Sequence, residues 1–388
     1  MTFLEHIPGT NPLPHPAKHP RAKGIGILGL HEGRTLLLAL DRIAHARAVA
    51  GCDLEESKIA SARAAAPELF YTRDYAELLA RADVDIVAIY TPDAQHGEHI
   101  ERAFEAGKDV ICTKPLVNSV ADGKRILAAA RRTGRKLLVG QSTRFFEPFL
   151  RQRAAFERGE LGKLELADAH YIHRMDWYYA KSPWVARDTD WIFLGLSHPL
   201  DLLRWYLGPI REVQALGSRS KLGLEHGVAG MDMYVVNVVS EDGRLGRALG
   251  HYGVHELPSA RNCIELMLYG DAGTSLAQYH DMRYVHTGAG GTEITEDHLY
   301  AGRHYYFGSE VHGMHYGEFA NYAEHFARAD RGRAARARPR ARPGDILPHG
   351  SRAAFGARAP VGAPRAPLGR DRARGRLLAR ARWIRRRA

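Results

Sequence analysis

The sequence predicts an α/β protein in two parts: a doubly wound parallel sheet, then an α+β region built on a large, mostly antiparallel sheet. Two observations lead there. Between Gly24 and about Phe146, short apolar runs alternate with amphipathic stretches of helical length, which is the pattern of βαβ units. After about Glu147 the runs alternate in polarity and are separated by turn signals such as Glu241-Asp242-Gly243 and Gly270-Asp271-Ala272-Gly273, which is the pattern of antiparallel strands. A chain of 388 residues has room for two domains of about 100–200 residues each. The expected division is an irregular arm over 1–23, a dinucleotide-binding domain over 24–146, a substrate and oligomerisation domain over 147–330, and a separate tail over 331–388.

Each element has its own signal. The arm holds five prolines, which remove backbone donors and forbid a regular helix. Residues 24–30 (GIGILGL) read as a buried strand, and a helix begins at 35–40. Residues 48–52 are a second strand that ends in Asp53. The run 84–90 (VDIVAIY) is apolar and β-branched, as a strand covered on both faces should be. Residues 96–106 form a helix closed by Gly107 as its C-cap. Strands are expected at 110–112 and 137–139. Between them lies a helix over 119–133, capped by Ser119, with Val120, Ile126, Leu127 and Ala130 on one face. In the second part strands are expected at 164–172, 212–218, 231–239, 245–252 and 263–269. Helices are expected at 199–206 and, last, at 318–329.

Charge excludes some function classes. The chain carries 55 basic and 44 acidic residues, a formal charge of +11. The excess is confined to 331–388, which hold 18 Arg, no Lys and only Asp345 and Asp371 as acids. The other 330 residues carry 37 basic against 42 acidic groups, so overall basicity does not argue for nucleic-acid binding. Arg, Ala, Gly and Pro supply 45 of the 58 tail residues, the products of GC-rich codons. The tail is expected to be a frame-shifted read without a packed core. The rival is a genuine Arg-rich arm for nucleic acid or an acidic partner, against which the sparse aromatics, Phe355 and Trp383, count. No run of about 20 apolar residues predicts a membrane span, and the start lacks an apolar signal core. Cys52, Cys112 and Cys263 are far apart. A reduced, cytoplasmic protein without a cysteine metal site is expected.

Glycine spacing points to a dinucleotide. Gly24, Gly26 and Gly29 satisfy G-x-G-x-x-G as text but lie inside the first strand. The functional turn is read instead as Gly29-Leu30-His31-Glu32-Gly33-Arg34. There Gly29 permits the turn, Gly33 lets the backbone approach, and the helix N-terminus faces the pyrophosphate. Asp53 follows 24 residues after Gly29. A carboxylate about 20 residues on accepts from the ribose hydroxyls and repels a 2′-phosphate, favouring NAD over NADP. Asp53 can also cap the next helix. The pairs His170/His173, His251/His255 and His312/His315 have chelating spacing only if helical. Two of them fall in or near strands, and no metal is expected.

The segments 26–34 (GILGLHEGR), 85–96 (DIVAIYTPDAQH), 105–115 (EAGKDVICTKP), 140–145 (GQSTRF) and 195–208 (GLSHPLDLLRWYLG) together resemble the Gfo/Idh/MocA family of NAD(P)-dependent sugar and cyclitol oxidoreductases. The resemblance covers about residues 24–329. It implies a Rossmann domain and a second domain that carries a catalytic helix. It implies that Thr91, Pro92 and His96 line the cofactor, and that His31 stands where the family usually has a second glycine. Lys114-Pro115 matches the family's Glu-Lys-Pro, with Thr113 in place of the Glu. Lys114 would lie near the nicotinamide and stabilise a developing alkoxide, with Pro115 fixing the turn, through a cis or a trans bond. His198 is the implied general base, since an imidazole of pKa about 6.5 can take a hydroxyl proton. Many members have an Asp four residues earlier, where this chain has Leu194. Asp201, one helical turn on, is the expected substitute orienting the ring, with Asp188 and Asp190 as further candidates.

The resemblance implies an oxidoreductase that moves a hydride between NAD and a secondary hydroxyl of a sugar, sugar derivative or cyclitol. It also implies a homo-oligomer formed through the second-domain sheet. Two alternatives stay open: an NAD-assisted glycoside-cleaving enzyme of the same fold, and a cofactor-binding regulator without turnover. The cluster Trp177, Tyr178, Tyr179 and Trp184 could stack on a sugar face or belong to the core or a dimer surface.

Overall fold

A computed structural model describes residues 16–255, 264–279, 281–298 and 318–329. The arm before residue 16, the tail 331–388, His312, His315 and Cys263 lie outside the described residues.

The first sheet has six parallel strands: β1 (Lys23–Leu28), β2 (Ala46–Cys52), β3 (Phe70–Thr72), β4 (Ile86–Ile89), β5 (Asp109–Thr113) and β6 (Leu137–Gly140), in spatial order β3-β2-β1-β4-β5-β6. The connecting helices are α1 (Gly33–Ala39), α2 (Glu56–Ala65), α3 (Tyr75–Ala80), α4 (His96–Glu105) and α5 (Val120–Thr133). The chain reverses direction across the sheet between β1 and β4. In open α/β sheets such a switch point leaves a crevice at the carboxyl ends of the strands, where ligands bind. One face of the sheet buries Ile25, Ile27, Leu36 and Ile59, and the other buries Val87, Ile100, Phe104 and Ile126. A parallel sheet needs cover on both sides, and the central strand β4 is buried at all four positions.

After α6 (Glu147–Glu157) the chain builds the second sheet. Its strands are β7 (Leu164–Ile172), β8 (Ile210–Ser218), β9 (Met233–Ser240), β10 (Leu245–His251), β11 (Ile264–Gly270), β12 (Gly273–Gln278), β13 (Arg283–Gly288) and β14 (Glu293–Asp297). The order is β14-β13-β12-β11-β7-β10-β9-β8, antiparallel at every junction except β7–β10. Between β7 and β8 lie α7 (Asp176–Lys181), α8 (Trp191–Leu194) and α9 (Ser197–Leu207), and α10 (Lys221–Glu225) precedes β9. Helix α9 lies across β7, β10 and β11 and buries Leu202, Leu203, Tyr206 and Leu207 against them. The last described helix, α11 (Glu318–Ala329), returns to the first sheet, where Phe319, Tyr322 and Phe326 complete the core over β1 and α1.

Ser119 caps α5 through its hydroxyl, which accepts the Asp122 N–H, and Gly134 ends that helix at φ 67°. Val120 departs from the expectation: it is 71% exposed, and α5 buries Ile126 and Ala129 instead. Position 120 is the first residue of the helix, beyond the edge of the sheet-facing stripe. Among the described residues, no helix is long and apolar enough to cross a membrane.

Candidate active site

The site is a cleft of about 1140 Å³ that gathers the carboxyl ends of β1, β2, β4 and β5 and faces the second domain's α7, α8 and α9. Among the sequence-predicted residues, Gly29, His31, Asp53, Thr91, Pro92, His96, Lys114, Pro115 and His198 all line it.

The turn after β1 is built by Gly29, which has φ 89° and whose missing Cβ would come within 2.7 Å of the Tyr90 carbonyl oxygen. Only glycine meets both conditions. Gly33 and Arg34 correct the sequence reading, since neither lines the cleft. A Cβ on Gly33 would sit 2.7 Å from Ile27 and 3.3 Å from the Tyr90 ring, so this glycine lets α1 pack on β1. Arg34 turns outward and donates to the Ser61 hydroxyl on α2. Asp53 lies at the end of β2. Its Oδ2 accepts the Leu30 N–H at 2.7 Å and its Oδ1 the Glu55 N–H at 2.9 Å. Two backbone amides thus fix the carboxylate, which keeps further lone pairs. Glu32 stands at the N-cap of α1, where it pairs with Lys181 of α7 and lies 3.9 Å from the His31 ring.

The residues present fit a dinucleotide. The positive-φ turn leads directly into α1, a held carboxylate ends β2, and the cleft runs along the strand ends between them. The departure is Glu32, an acid beside the place for a diphosphate. Its pairing with Lys181 offsets that charge.

The Thr91 and Lys114 loops are stitched together by His96, which is 1% exposed. Its Nδ1 meets the Pro115 carbonyl at 2.9 Å and its Nε2 the Thr91 carbonyl at 2.7 Å. Burial lowers its pKa, although these carbonyls favour the charged ring. The Lys114–Pro115 peptide is cis. Lys114 Nζ donates to the Leu194 carbonyl at 3.1 Å. Loss of solvent lowers its pKa to about 8, with Glu32 and then Asp93 opposing the shift. At position 194, where a carboxylate partner for His198 was missing from the sequence, the backbone oxygen meets Lys114 instead.

His198 projects from the first turn of α9 and is 4% exposed. Its Nδ1 lies 2.8 Å from Thr143 Oγ1, and its ring packs edge-on against Tyr171 at 5.6 Å. Asp201 is therefore not its partner, contrary to the sequence reading. Both Asp201 oxygens are taken by Arg144, with Nε–Oδ2 at 2.5 Å and Nη2–Oδ1 at 2.6 Å. Arg144 is itself buried and lies over the Trp205 ring, so a two-bonded fork holds Asp201 through both oxygens. Asp190 caps α8 and accepts from Tyr234, and the Asp188 carbonyl accepts from Asn118. Thr143, missed in the sequence reading, lies in the matched segment 140–145, which is the signal that could have found it.

Of the paired histidines, His173 lines the cleft. His170 Nε2 sits 3.0 Å from Asp168, and no group of three or more potential metal ligands occurs among the described residues. Of the aromatic cluster, Tyr179 packs edge-on against Trp191 in the core, whereas Trp177, Tyr178 and Trp184 line the cleft.

Comparison with known proteins agrees with this architecture. Residues 23–141 match the family model described as oxidoreductase family, NAD-binding Rossmann fold, and residues 149–274 match the GFO/IDH/MocA C-terminal domain. The uncharacterized oxidoreductase YrbE of Bacillus subtilis is 30% identical over 223 residues, 57% of this chain and 64% of that protein. Inositol 2-dehydrogenase 1 of Saccharopolyspora erythraea is 30% identical over 190 residues, 47% of this chain and 52% of that protein. The chain thus spans between about half and just under two thirds of the length of these relatives. The solved structure of levoglucosan dehydrogenase with NADH and levoglucosan shares the fold, with a TM-score of 0.66 at 21% identity over 80% of this chain and 90% of that one. With both of its domains matched in order, the chain belongs to the Gfo/Idh/MocA oxidoreductase family, whose first domain is an NAD-binding Rossmann fold.

Proposed function

We propose that the protein is an NAD-dependent dehydrogenase acting on a secondary hydroxyl of a sugar, sugar derivative or cyclitol. One observation carries this reading: Lys114 from the first domain and His198 from the second line the same cleft as Gly29 and Asp53. NAD, when bound, supplies the hydride acceptor. Asp53 would hold the adenosine ribose, and the turn after β1 would face the diphosphate. The Lys114 ammonium donates a hydrogen bond to the reacting oxygen and favours its alkoxide form. His198, whose Nδ1 is held against Thr143 Oγ1, takes the hydroxyl proton. Trp177 offers an apolar ring to the C–H face of a sugar. The relative named inositol 2-dehydrogenase 1 supports the substrate class.

A panel of sugars and cyclitols, followed by NADH absorbance, tests the reading. Steady NADH formation with at least one member is expected. Glycoside cleavage without net NADH would favour an elimination route instead, and cofactor binding without either would favour a regulator.

A homo-oligomer formed through the second sheet belongs to the same proposal. The face of that sheet turned away from α9 presents Leu216, Val235, Leu245 and Tyr269, which are 69%, 39%, 53% and 37% exposed. A second copy of the chain would cover this patch.

A further inference from the structure

Within the dehydrogenase reading, on which this rests, we propose that Arg144 and Asp201 are a positioning pair for catalysis: their fork sets the register of α9 against residues 142–145 and so holds His198 in the cleft. The short turn Ser142–Phe145 follows β6, and α9 belongs to the second domain. Two adjacent residues of that turn reach two residues one helical turn apart. Thr143 Oγ1 lies 2.8 Å from His198 Nδ1, and Arg144 donates to both carboxylate oxygens of Asp201. Arg144 Nη2 also reaches the Asp201 carbonyl at 3.3 Å. One turn further along, the Trp205 ring has the Arg144 guanidinium 5.0 Å from its centre, and Arg153 of α6 donates to the Trp205 carbonyl at 2.8 Å. His198, Asp201 and Trp205 stand at i, i+3 and i+7, so they share one face of the helix.

Neither Arg144 nor Asp201 lines the cleft, so the pair acts through His198 rather than on a ligand. Stability alone does not account for it. Arg144 is 3% exposed, and apolar residues of similar volume are often as stabilising as a buried ion pair, or more so. The best-attested use of such a pair is to fix register, and a planar fork adds direction to the contact. A single hydrogen bond between Thr143 and the ring leaves α9 free to tilt about it. A second anchor three residues on, about 4.5 Å along the axis, removes that freedom. Leu194 offers the ring no carboxylate, so the imidazole depends on Thr143 and on the register of its helix. A misplacement of about 1 Å can slow a reaction about 10²-fold.

The test removes the pair as a unit, Arg144→Met with Asp201→Leu, in the wild-type chain and in His198→Ala. NADH affinity, thermal unfolding and single-turnover NADH formation at saturating sugar are measured, and the ligand-free double variant is crystallised. The double variant should unfold no earlier than wild type and bind NADH within about twofold of it. Its hydride transfer should be slower by about 10- to 10²-fold, and its His198 ring should stand beyond about 3.5 Å from Thr143 Oγ1. In His198→Ala the same two substitutions should change the rate by less than about twofold, since no base is left to misplace. A merely structural pair would lower the unfolding temperature and slow both backgrounds alike. Should the double variant not fold, Arg144→Lys, which keeps the charge and loses the fork, carries the same comparison. A rate at the wild-type level, or an equal loss with and without His198, overturns the proposal. Wild-type protein that oxidises no sugar overturns the dehydrogenase reading instead, and the His198–Thr143 distance in the variant still decides whether the fork sets the ring.

Discussion

Lys114 loses solvent in the cleft, and Glu32 and Asp93 return only part of the stabilisation its charge needs, so its pKa settles at about 8. The protonated amine is the donor, so kcat/KM should fall as pH rises through about 8, and a pH–rate profile checks it. Asp93→Asn removes one of the two charges that hold the proton, so that alkaline limb should move to lower pH. The stability effect has the opposite sense. The folded pKa lies below the ordinary 10.5, so the cost of burying the ammonium is full below pH 8 and is relieved as pH rises from about 8 towards 10.5. At the other end of the cleft, the Asp53 carboxylate is fixed by two amides. NAD should therefore bind more tightly than NADP in parallel titrations; equal binding would remove Asp53 from the ribose. At this scale the motifs placed Gly29, Asp53 and Lys114 at strand ends, and all three line the cleft. The sequence was not legible where the partner comes from far along the chain. Thr143 reaches His198 across 55 residues and Arg144 reaches Asp201 across 57, and no local pattern encodes either pairing.

The elements that could be read directly are those with strong, local patterns. β7 and α11 occupy the expected residues 164–172 and 318–329, because alternation and a 3.6-residue stripe are unambiguous at those lengths. β3 has three residues, too few to show alternation. β14 (EITED) lies at the sheet edge with no buried residue, so its sequence carries no inward face to detect. α11 also shows how a late segment supports the site. The Tyr322 hydroxyl meets that of Tyr90, the buried residue that follows β4 and lines the cleft. Tyr322→Phe keeps the ring packing but leaves the Tyr90 hydroxyl buried and unpaired. It should destabilise the chain by about 1–3 kcal/mol, read as a lower urea midpoint with an unchanged slope. No change would mean that the two hydroxyls do not support each other in solution.

For the whole molecule, the change of rhythm near residue 147 was legible because parallel and antiparallel sheets impose different sequence periods. The single parallel junction β7–β10 was not, since strand order depends on pairing between distant segments. The open face of the second sheet makes a prediction at this scale. Leu245→Arg with Val235→Arg should shift the protein to a smaller species in light scattering while NADH binding persists; an unchanged mass would place the interface elsewhere. The central claim is that one cleft binds NAD and that Lys114 and His198 act on the substrate within it. Its most direct test sets NADH affinity beside turnover in Lys114→Ala and His198→Ala, on whichever sugar or cyclitol the panel finds. Both variants should bind NADH nearly as the wild type does and lose about 10²–10⁴-fold in kcat. Turnover near the wild-type rate in either variant would contradict the claim.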